Sequence, residues 1–248
     1  MTGIAEKTAS LILSVILLTY AAPLSCAVTH KCEAADASMG VRTDANDGAV
    51  FSWHRNSSSK IALTFDDGPH PRHTREILDI LEEYGVTATF FVIGVNAEAY
   101  PEIVKAEIDR GHEVGNHTYS HANLRRECTA EIVRELDDAE KVIYEAAEYK
   151  PKLLRPPGGK YANQLKEIAK QYNYSIILWT VDTKDWAHKS VDSICDNVLT
   201  NVKSGDIILF HDHITGGSPT PEALRRIIPE LKSRGFTFVT VSELIGSD

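Results

Sequence analysis

Short apolar segments alternate with helical segments from residue 60 to residue 239, and this alternation limits the possible folds more than any other feature. Strands that alternate with helices imply a parallel sheet, because each parallel strand needs a crossover connection. Seven such units follow one another without a repeat or a change of composition. We therefore predict one α/β domain and favour a barrel over an open sheet.

The expected boundaries follow from apolar periodicity and from Gly and Pro at segment ends. The predicted strands are 60–63, 87–93, 113–115, 152–155, 175–180, 206–210 and 236–239. The predicted helices are 74–84, 97–110, 129–148, 164–172, 191–202 and 222–234. A strand-like run at 49–53 is expected to cover the floor of the barrel.

The first 27 residues resemble a secretory signal peptide. The apolar run at 11–22 is too short to span a bilayer comfortably, and Ser25 and Ala27 occupy the −3 and −1 positions for cleavage after Ala27. We expect an extracytoplasmic protein that is either secreted or anchored through this segment. Residues 28–58 are then a tether and cover segment, and residues 59–248 form the main folded domain.

Two adjacent carboxylates, Asp66 and Asp67, end the first long strand, where Gly68-Pro69 turns the chain. The carboxyl ends of parallel strands are where α/β folds bind ligands and metals. Adjacent residues on a strand point to opposite faces, so the two carboxylates are expected to have different tasks. We predict that one binds a metal and the other moves a proton.

Two histidines, His117 and His121, follow the third predicted strand. Their i, i+4 spacing places both imidazoles on one face of a helix, which suits two ligands of one metal. Three more polar residues, Arg155, Asp185 and His211, follow later strands. Because the carboxyl ends of barrel strands meet at one mouth, all these side chains are expected to share one pocket.

Five segments, taken in order, resemble the motifs of the NodB-homology polysaccharide deacetylases, carbohydrate esterase family 4. They are Thr64-Phe-Asp-Asp-Gly68, His117-Thr-Tyr-Ser-His121, Arg155-Pro-Pro-Gly-Gly159, Asp182-Thr-Lys-Asp-Trp186 and Leu209-Phe-His211. The resemblance implies a distorted (β/α)7-like barrel. One departure is Gly158-Gly159, where many members of the family carry an aromatic residue, and it implies a more open pocket rim.

The resemblance also implies the roles of individual residues. Asp67, His117 and His121 bind a divalent metal, most often Zn²⁺, with Co²⁺, Mn²⁺ or Ni²⁺ as alternatives. A position left for water suits hydrolysis. The catalytic residues carried over are the base Asp66 with its partner Arg155, and the acid His211 with its partner Asp185. The substrate-binding residues are Pro157, Gly158, Tyr161, Trp186 and Leu209, with the backbone N–H of Gly158 serving the oxyanion.

We predict an N-deacetylase that acts on a GlcNAc-containing polysaccharide, with peptidoglycan first and chitin oligosaccharides second. The alternatives are an O-acetyl (xylan) esterase, an inactive glycan-binding protein and a glycosidase with paired carboxylates. The formal net charge of −9 argues against a nucleic-acid partner. The resemblance implies an acetylated glycan polymer as the partner. No protein partner is inferred, and a monomer is expected.

Overall fold

The computed structural model describes residues 49–52 and 59–246. Within them the strands are β1 (Val50–Phe51), β2 (Lys60–Asp66), β3 (Thr89–Val92), β4 (Glu113–Asn116), β5 (Leu153–Leu154), β6 (Ser175–Ile177), β7 (Val181–Asp182), β8 (Ile207–His211) and β9 (Thr237–Phe238). The helices are α1 (His73–Tyr84), α2 (Gly94–Ala99), α3 (Pro101–Asp109), α4 (Thr129–Ala147), α5 (Gln164–Gln171), α6 (Val191–Asn201), α7 (Thr220–Ser233) and α8 (Val241–Ile245).

All pairings in the sheet are parallel, which confirms the predicted α/β class. The strand order is β1-β6-β5-β4-β3-β2-β8-β7, and β9 pairs with the start of β2. The path runs from β1 to β7 without closing, so the barrel is a curled half-barrel. The predicted strand at 175–180 is shorter than expected, and β7 follows it as a separate strand.

The central strand, β2, shows how the sequence sets the two faces of the sheet. Ile61, Leu63 and Phe65 belong to the large apolar cluster that also contains residues of α1, α3, α6 and α7. Successive side chains on a strand point to opposite faces, so Thr64 and Asp66 lie on the other face. Burial of the apolar face fixes the register, and with it the side on which the polar residues appear.

The C-terminal helix α8 closes the amino-terminal edge of the sheet. Val241, Leu244 and Ile245 pack with residues of β2 and β3 in a second apolar cluster. We expected the strand-like run at 49–53 to cover this floor; its described part is a strand, as expected, but it does not lie across the floor. Val50–Phe51 pairs in parallel with β6 and forms a strand at the edge of the sheet, because its backbone groups find ladder partners there.

Residues 97–110 were predicted as one helix, but the structure divides this part of the chain into α2 and α3. Pro101 begins α3, and the preceding Tyr100 has φ −136° and ψ 56°, outside the helical region. Proline disfavours helical dihedrals in the residue before it and donates no backbone hydrogen bond. Pro101 therefore causes the break, which the apolar periodicity used for the prediction does not detect.

The predicted signal segment and most of the predicted tether lie outside the described residues. No helix within the described part is long and apolar enough to cross a membrane.

Candidate active site

The register of the parallel strands brings the predicted site residues to one edge of the sheet. Asp66, the last residue of β2, pairs with His211, the last residue of β8. Asn116 ends β4 and pairs with Leu154, the last residue of β5. His117 and Arg155 follow these two residues directly. Positions far apart in sequence are therefore neighbours at the carboxyl ends of four strands, as predicted.

Asp67, His117 and His121 form a compact group of potential metal ligands. One ligand atom from each lies within 4.8 Å of those from the other two. Oδ1 of Asp67 is 3.4 Å from Nε2 of His117 and 3.2 Å from Nε2 of His121. Three N and O ligands of this kind suit a divalent metal that keeps one position for water.

The two histidines do not lie on a helix, so that part of the prediction is wrong. Residues 117–121 form an irregular loop, in which Thr118 has φ 69° and His121 has φ 60°. Asp67 also has a positive φ, of 75°. Left-handed dihedrals cost free energy for residues with a Cβ and are concentrated at functional sites. Here they turn the three side chains towards one point.

The donor set fits a bound cation. Nδ1 of His117 lies 2.7 Å from the carbonyl oxygen of Arg155, which can only accept, so Nδ1 carries a proton. In the neutral ring, Nε2 then directs a lone pair at the carboxylate of Asp67. Oδ1 of Asp67 is buried and has no hydrogen-bond partner among the described residues. Lone pairs that converge in this way are stabilised by a cation between them.

Asp66 is paired with a fully buried arginine. Nη1 of Arg155 donates to Oδ1 of Asp66 at 2.7 Å and to the hydroxyl of Thr64 at 2.8 Å. Its Nε donates to the carbonyl oxygen of Ile177 and its Nη2 to that of Leu178, both at 3.2 Å. Burial lowers the pKa of Arg155, and the charge and hydrogen bond of Asp66 oppose that shift. The pair is therefore held rigidly, with each charge compensated by the other.

Asp66 and Asp67 do not point to opposite sides of the sheet. Oδ2 of Asp66 is 3.7 Å from Nε2 of His117, the same atom that lies near Asp67. Strand alternation fails here because Asp67 lies beyond the end of β2 and has a positive φ. Both carboxylates therefore enter one site, with different partners.

His211 is held by Asp185, which is fully buried. Nδ1 of His211 lies 2.8 Å from Oδ1 of Asp185, and the backbone N–H of His211 donates to Oδ2 at 2.7 Å. Burial lowers the pKa of His211, but the hydrogen bond and charge of Asp185, with the charges of Asp66 and Asp67, outweigh it and raise the pKa to about 9. This imidazole is therefore protonated at neutral pH.

The five predicted substrate-binding residues lie in different environments. Pro157 and Leu209 are buried, whereas Trp186 is 54% exposed. Tyr161 is half-buried and packs against the apolar cluster of α4 and α5. Gly158 is exposed with φ 62°, and a Cβ there would meet nothing within 4 Å. The space beside Gly158 agrees with the open rim expected from the glycine pair.

Trp179 is a site residue that the sequence did not single out. A Cβ on Gly159 would lie 2.9 Å from Cη2 of this indole, and the guanidinium of Arg155 lies 5.6 Å from its ring centroid. The sequence placed Trp179 inside the predicted strand 175–180, whereas β6 ends at Ile177, so that Trp179 follows a strand end as the other site residues do. Trp179 therefore packs where only a small residue fits at position 159.

A groove of about 580 Å³ lies beside the metal ligands, between the β2–α1 and β8–α7 connections. Asn96 connects it to the site, since its Nδ2 donates to the carbonyl oxygen of Asp67 at 2.8 Å and lies 3.2 Å from Nδ1 of His213. His70 and His213 both line this groove. The other lining residues are Arg72, His73, Glu76, Ile214, Thr215, Gly216, Gly217 and Ser218.

Three supporting polar residues were also missed. The amide of Asn116 accepts from the N–H of Thr118 and donates to the carbonyl oxygen of Leu136, which anchors the histidine loop. Thr64 supports Arg155 and Thr220 supports Asp185. Single hydroxyl and amide groups have no periodicity, so no pattern in the sequence indicates their partners.

Comparison with known proteins identifies the family. The sequence profile described as polysaccharide deacetylase matches residues 54–177. A peptidoglycan-N-acetylglucosamine deacetylase of Bacillus cereus is 40% identical over 210 residues, which cover 84% of this chain and 98% of that protein. A chitooligosaccharide deacetylase of Sinorhizobium fredii is 37% identical over 191 residues, 71% of this chain and 87% of that protein.

A solved structure shows the same fold. The Bc1960 peptidoglycan N-acetylglucosamine deacetylase, crystallised with 4-naphthalen-1-yl-N-oxidanyl-benzamide, has a TM-score of 0.77 and 40% identity to this chain. The match covers 80% of this chain and 93% of that structure. The chain therefore belongs to the polysaccharide deacetylases of carbohydrate esterase family 4, a family of metal-dependent hydrolases.

Proposed function

We propose that this protein hydrolyses the acetamido group of N-acetylglucosamine residues in peptidoglycan, with chitin oligosaccharides as the second candidate substrate. The order rests on the relatives, because the Bacillus cereus protein is named for peptidoglycan and the Sinorhizobium fredii protein for chitooligosaccharides. The partner is in either case an acetylated glycan.

One observation carries the proposal. Asp66 and His211 are register partners on adjacent strands, and the trio of Asp67, His117 and His121 lies beside them. Amide hydrolysis needs a base for the attacking water and an acid for the leaving nitrogen. An ionised carboxylate and a protonated imidazole close to a metal-binding group supply both functions.

On the base side, Asp66 accepts a proton from the attacking water. Arg155 holds Asp66 through the 2.7 Å ion pair and prevents its carboxylate from rotating. The hydrogen bonds that Arg155 donates to the carbonyl oxygens of Ile177 and Leu178 fix the guanidinium in turn. The free oxygen of Asp66 is then the one directed towards His117.

On the acid side, His211 donates a proton to the leaving nitrogen. Its Nδ1–H is held by Asp185, so Nε2 is the nitrogen that faces the substrate. An amine is a poor leaving group without a proton, and the raised pKa of His211 keeps that proton available at neutral pH. The backbone N–H of Gly158 is the proposed donor to the developing oxyanion.

Asp67, His117 and His121 are the proposed ligands of a divalent metal, and we propose Zn²⁺. When bound there, such a metal acts as a Lewis acid, which makes water more acidic and polarises a carbonyl group. Two imidazoles and one carboxylate suit zinc, although Co²⁺, Mn²⁺ and Ni²⁺ accept the same ligands.

The test compares acetate release from N-acetylated peptidoglycan and from chitopentaose. Wild-type protein and Asp66→Asn are assayed as purified, after chelation and after return of Zn²⁺. We expect metal-dependent release by the wild type and a loss of about 10²- to 10⁴-fold in Asp66→Asn, because the base is removed while the metal ligands remain. The faster polymer identifies the preferred substrate.

Several outcomes would contradict this function. Release of O-acetyl groups from xylan without release from either N-acetylated polymer would identify an esterase. Bound zinc without any acetate release would favour a glycan-binding protein. A shortened glycan chain would indicate a glycosidase, whose paired carboxylates lie about 5 to 9 Å apart across the scissile bond.

We also propose that the protein is exported through its N-terminal segment. The support is the apolar run at 11–22 followed by small residues that suit a cleavage site. Cell fractionation with N-terminal sequencing tests this proposal. A mature protein that begins at Val28 indicates cleavage, an intact terminus in the membrane fraction indicates an anchor, and an intact soluble protein in the cytosol contradicts export.

A further inference from the structure

Thr220 is a fully buried threonine that makes a side-chain contact with the acid side of the site. It is the first residue of α7, and its Oγ1 lies 2.7 Å from Oδ2 of Asp185. A carboxylate oxygen only accepts, so the hydroxyl donates this hydrogen bond. The contact joins positions 35 residues apart.

With the hydrogen bond from Thr220, both oxygens of the Asp185 carboxylate accept two hydrogen bonds. Oδ1 of Asp185 accepts from Nδ1 of His211 at 2.8 Å and from the backbone N–H of Trp186 at 2.9 Å. Oδ2 accepts from the backbone N–H of His211 and from Thr220, both at 2.7 Å. Four donors surround the group. Apart from His211 itself, Thr220 is the one side chain among the described residues that bonds this carboxylate.

We propose that Thr220 is a positioning residue for the general acid, because its hydroxyl fixes the rotamer of Asp185 and thereby the orientation of His211. The proposal rests on the acid role of His211 in the proposed function. Loss of the hydroxyl leaves Oδ2 with the backbone N–H of His211 as its remaining donor, so three hydrogen bonds instead of four restrain the rotamer of the buried carboxylate. The Nδ1 contact that orients the imidazole is then held less firmly.

A defect in the acid differs from a defect in the metal site in its dependence on the leaving group. An amine leaves only when it is protonated, whereas 4-nitrophenolate leaves as a stable anion. Hydrolysis of an N-acetyl sugar therefore needs His211, and hydrolysis of 4-nitrophenyl acetate at the same centre does not. The ratio of the two rates reports on the acid alone.

The experiment measures kcat and KM for chitopentaose and for 4-nitrophenyl acetate, with zinc-loaded wild type, Thr220→Val and Thr220→Ser. Valine keeps the shape and removes the donor, and serine keeps the donor. We expect Thr220→Val to lower kcat for the amide about 10- to 100-fold, the usual loss when a residue that orients an active-site group is removed. KM and the ester rate are expected to stay within about twofold, and Thr220→Ser to restore the amide rate.

Thr89→Val is the matched control. Thr89 is also fully buried, and its hydroxyl also donates to a carboxylate, Oε2 of Glu113 at 3.1 Å, but at the opposite edge of the sheet. It is expected to lower thermal stability without changing the ratio of amide to ester rates. Metal content and melting temperature are measured for every variant, and Thr220→Ala replaces Thr220→Val if the latter does not fold.

An equal loss of amide and ester rates in Thr220→Val would overturn the proposal, since the hydroxyl would then support the whole site. An unchanged amide rate would overturn it as well. If wild type hydrolyses the ester but no N-acetylated glycan, the proposed function itself has failed, and that result is visible before any variant is compared.

Discussion

Two carboxylates at opposite edges of the sheet differ in how their oxygens are satisfied. Glu113 begins β4, and its oxygens accept from the hydroxyl of Thr89 at 3.1 Å, from the backbone N–H of Ser242 at 3.0 Å and from the hydroxyl of Ser242. Asp67 follows β2 at the other edge, where its Oδ1 is buried without a hydrogen-bond partner in the described part of the chain.

The contrast assigns Glu113 to the stability of the fold and Asp67 to its function. A buried carboxylate that the protein itself saturates holds elements together, and here it fastens α8 to the start of the sheet. One that the protein leaves unsaturated costs stability unless something else binds it. The backbone follows the same division, since Glu113 lies in a regular strand and Asp67 has φ 75°.

The largest effect is expected when Asp67, the unsaturated carboxylate, is replaced. Asp67→Asn removes the charge and one ligand oxygen, so acetate release is expected to fall about 10³-fold or more, because the Lewis acid is lost. Metal content after dialysis and the initial rate are measured together. Normal metal content with a normal rate would show that Asp67 is not a ligand.

The second largest effect is a loss of stability when Glu113, the saturated carboxylate, is replaced. Glu113→Ala leaves buried donors of Thr89 and Ser242 without an acceptor, so the free energy of unfolding is expected to fall by about 3 kcal/mol. Urea unfolding measures the change, and Glu102→Ala, which loses only an exposed ion pair with Arg75, is expected to cost under about 1 kcal/mol. Loss of activity in folded Glu113→Ala would contradict the division of roles.

The smallest expected effect is a change in the pH dependence of the rate, which reports on His211 and its partner Asp185. His211 has a pKa raised to about 9, so its protonated form persists through neutral pH and is lost as pH rises through 9. The rate of amide hydrolysis is therefore expected to fall above about pH 9. In Asp185→Asn the upper limit is expected to move to lower pH, because burial still lowers the pKa while its main opposing partner is gone.

The rates of wild type and Asp185→Asn between pH 6 and 10 check this expectation. Equal upper limits in the two proteins would show that another group sets the limit. Hydrolysis of 4-nitrophenyl acetate is the control, since it needs no protonated acid and is expected to keep its rate above pH 9 in wild type.

The sequence predicts the location of the site better than its local geometry. Asp66, Arg155 and His211 were each placed at the end of a strand, and parallel pairing is sufficient to bring strand ends together. The helical geometry assigned to His117 and His121 was wrong, because residue spacing does not reveal the positive φ values that turn that loop. Periodicity describes regular elements, and the ligands lie outside them.

Long-range polar contacts were beyond prediction for a different reason. Thr220 meets Asp185 across 35 residues and Arg155 meets Thr64 across 91, and the sequence does not show either pairing until the fold is known. The break before Pro101, in contrast, was available in the sequence. The burial of α8 under the sheet was not, since a five-residue helix has no distinctive periodicity.

The pairing of β2 with β8 has a consequence for synthesis of the protein. The two strands are adjacent in the sheet, yet Thr64 bonds a carbonyl oxygen 144 residues further along the chain. A ribosome makes β2 early, so one edge of this strand lacks its partner until most of the chain has been translated. A product that ends before residue 211 contains Asp66 without His211, so these two side chains become neighbours only after β8 has been made.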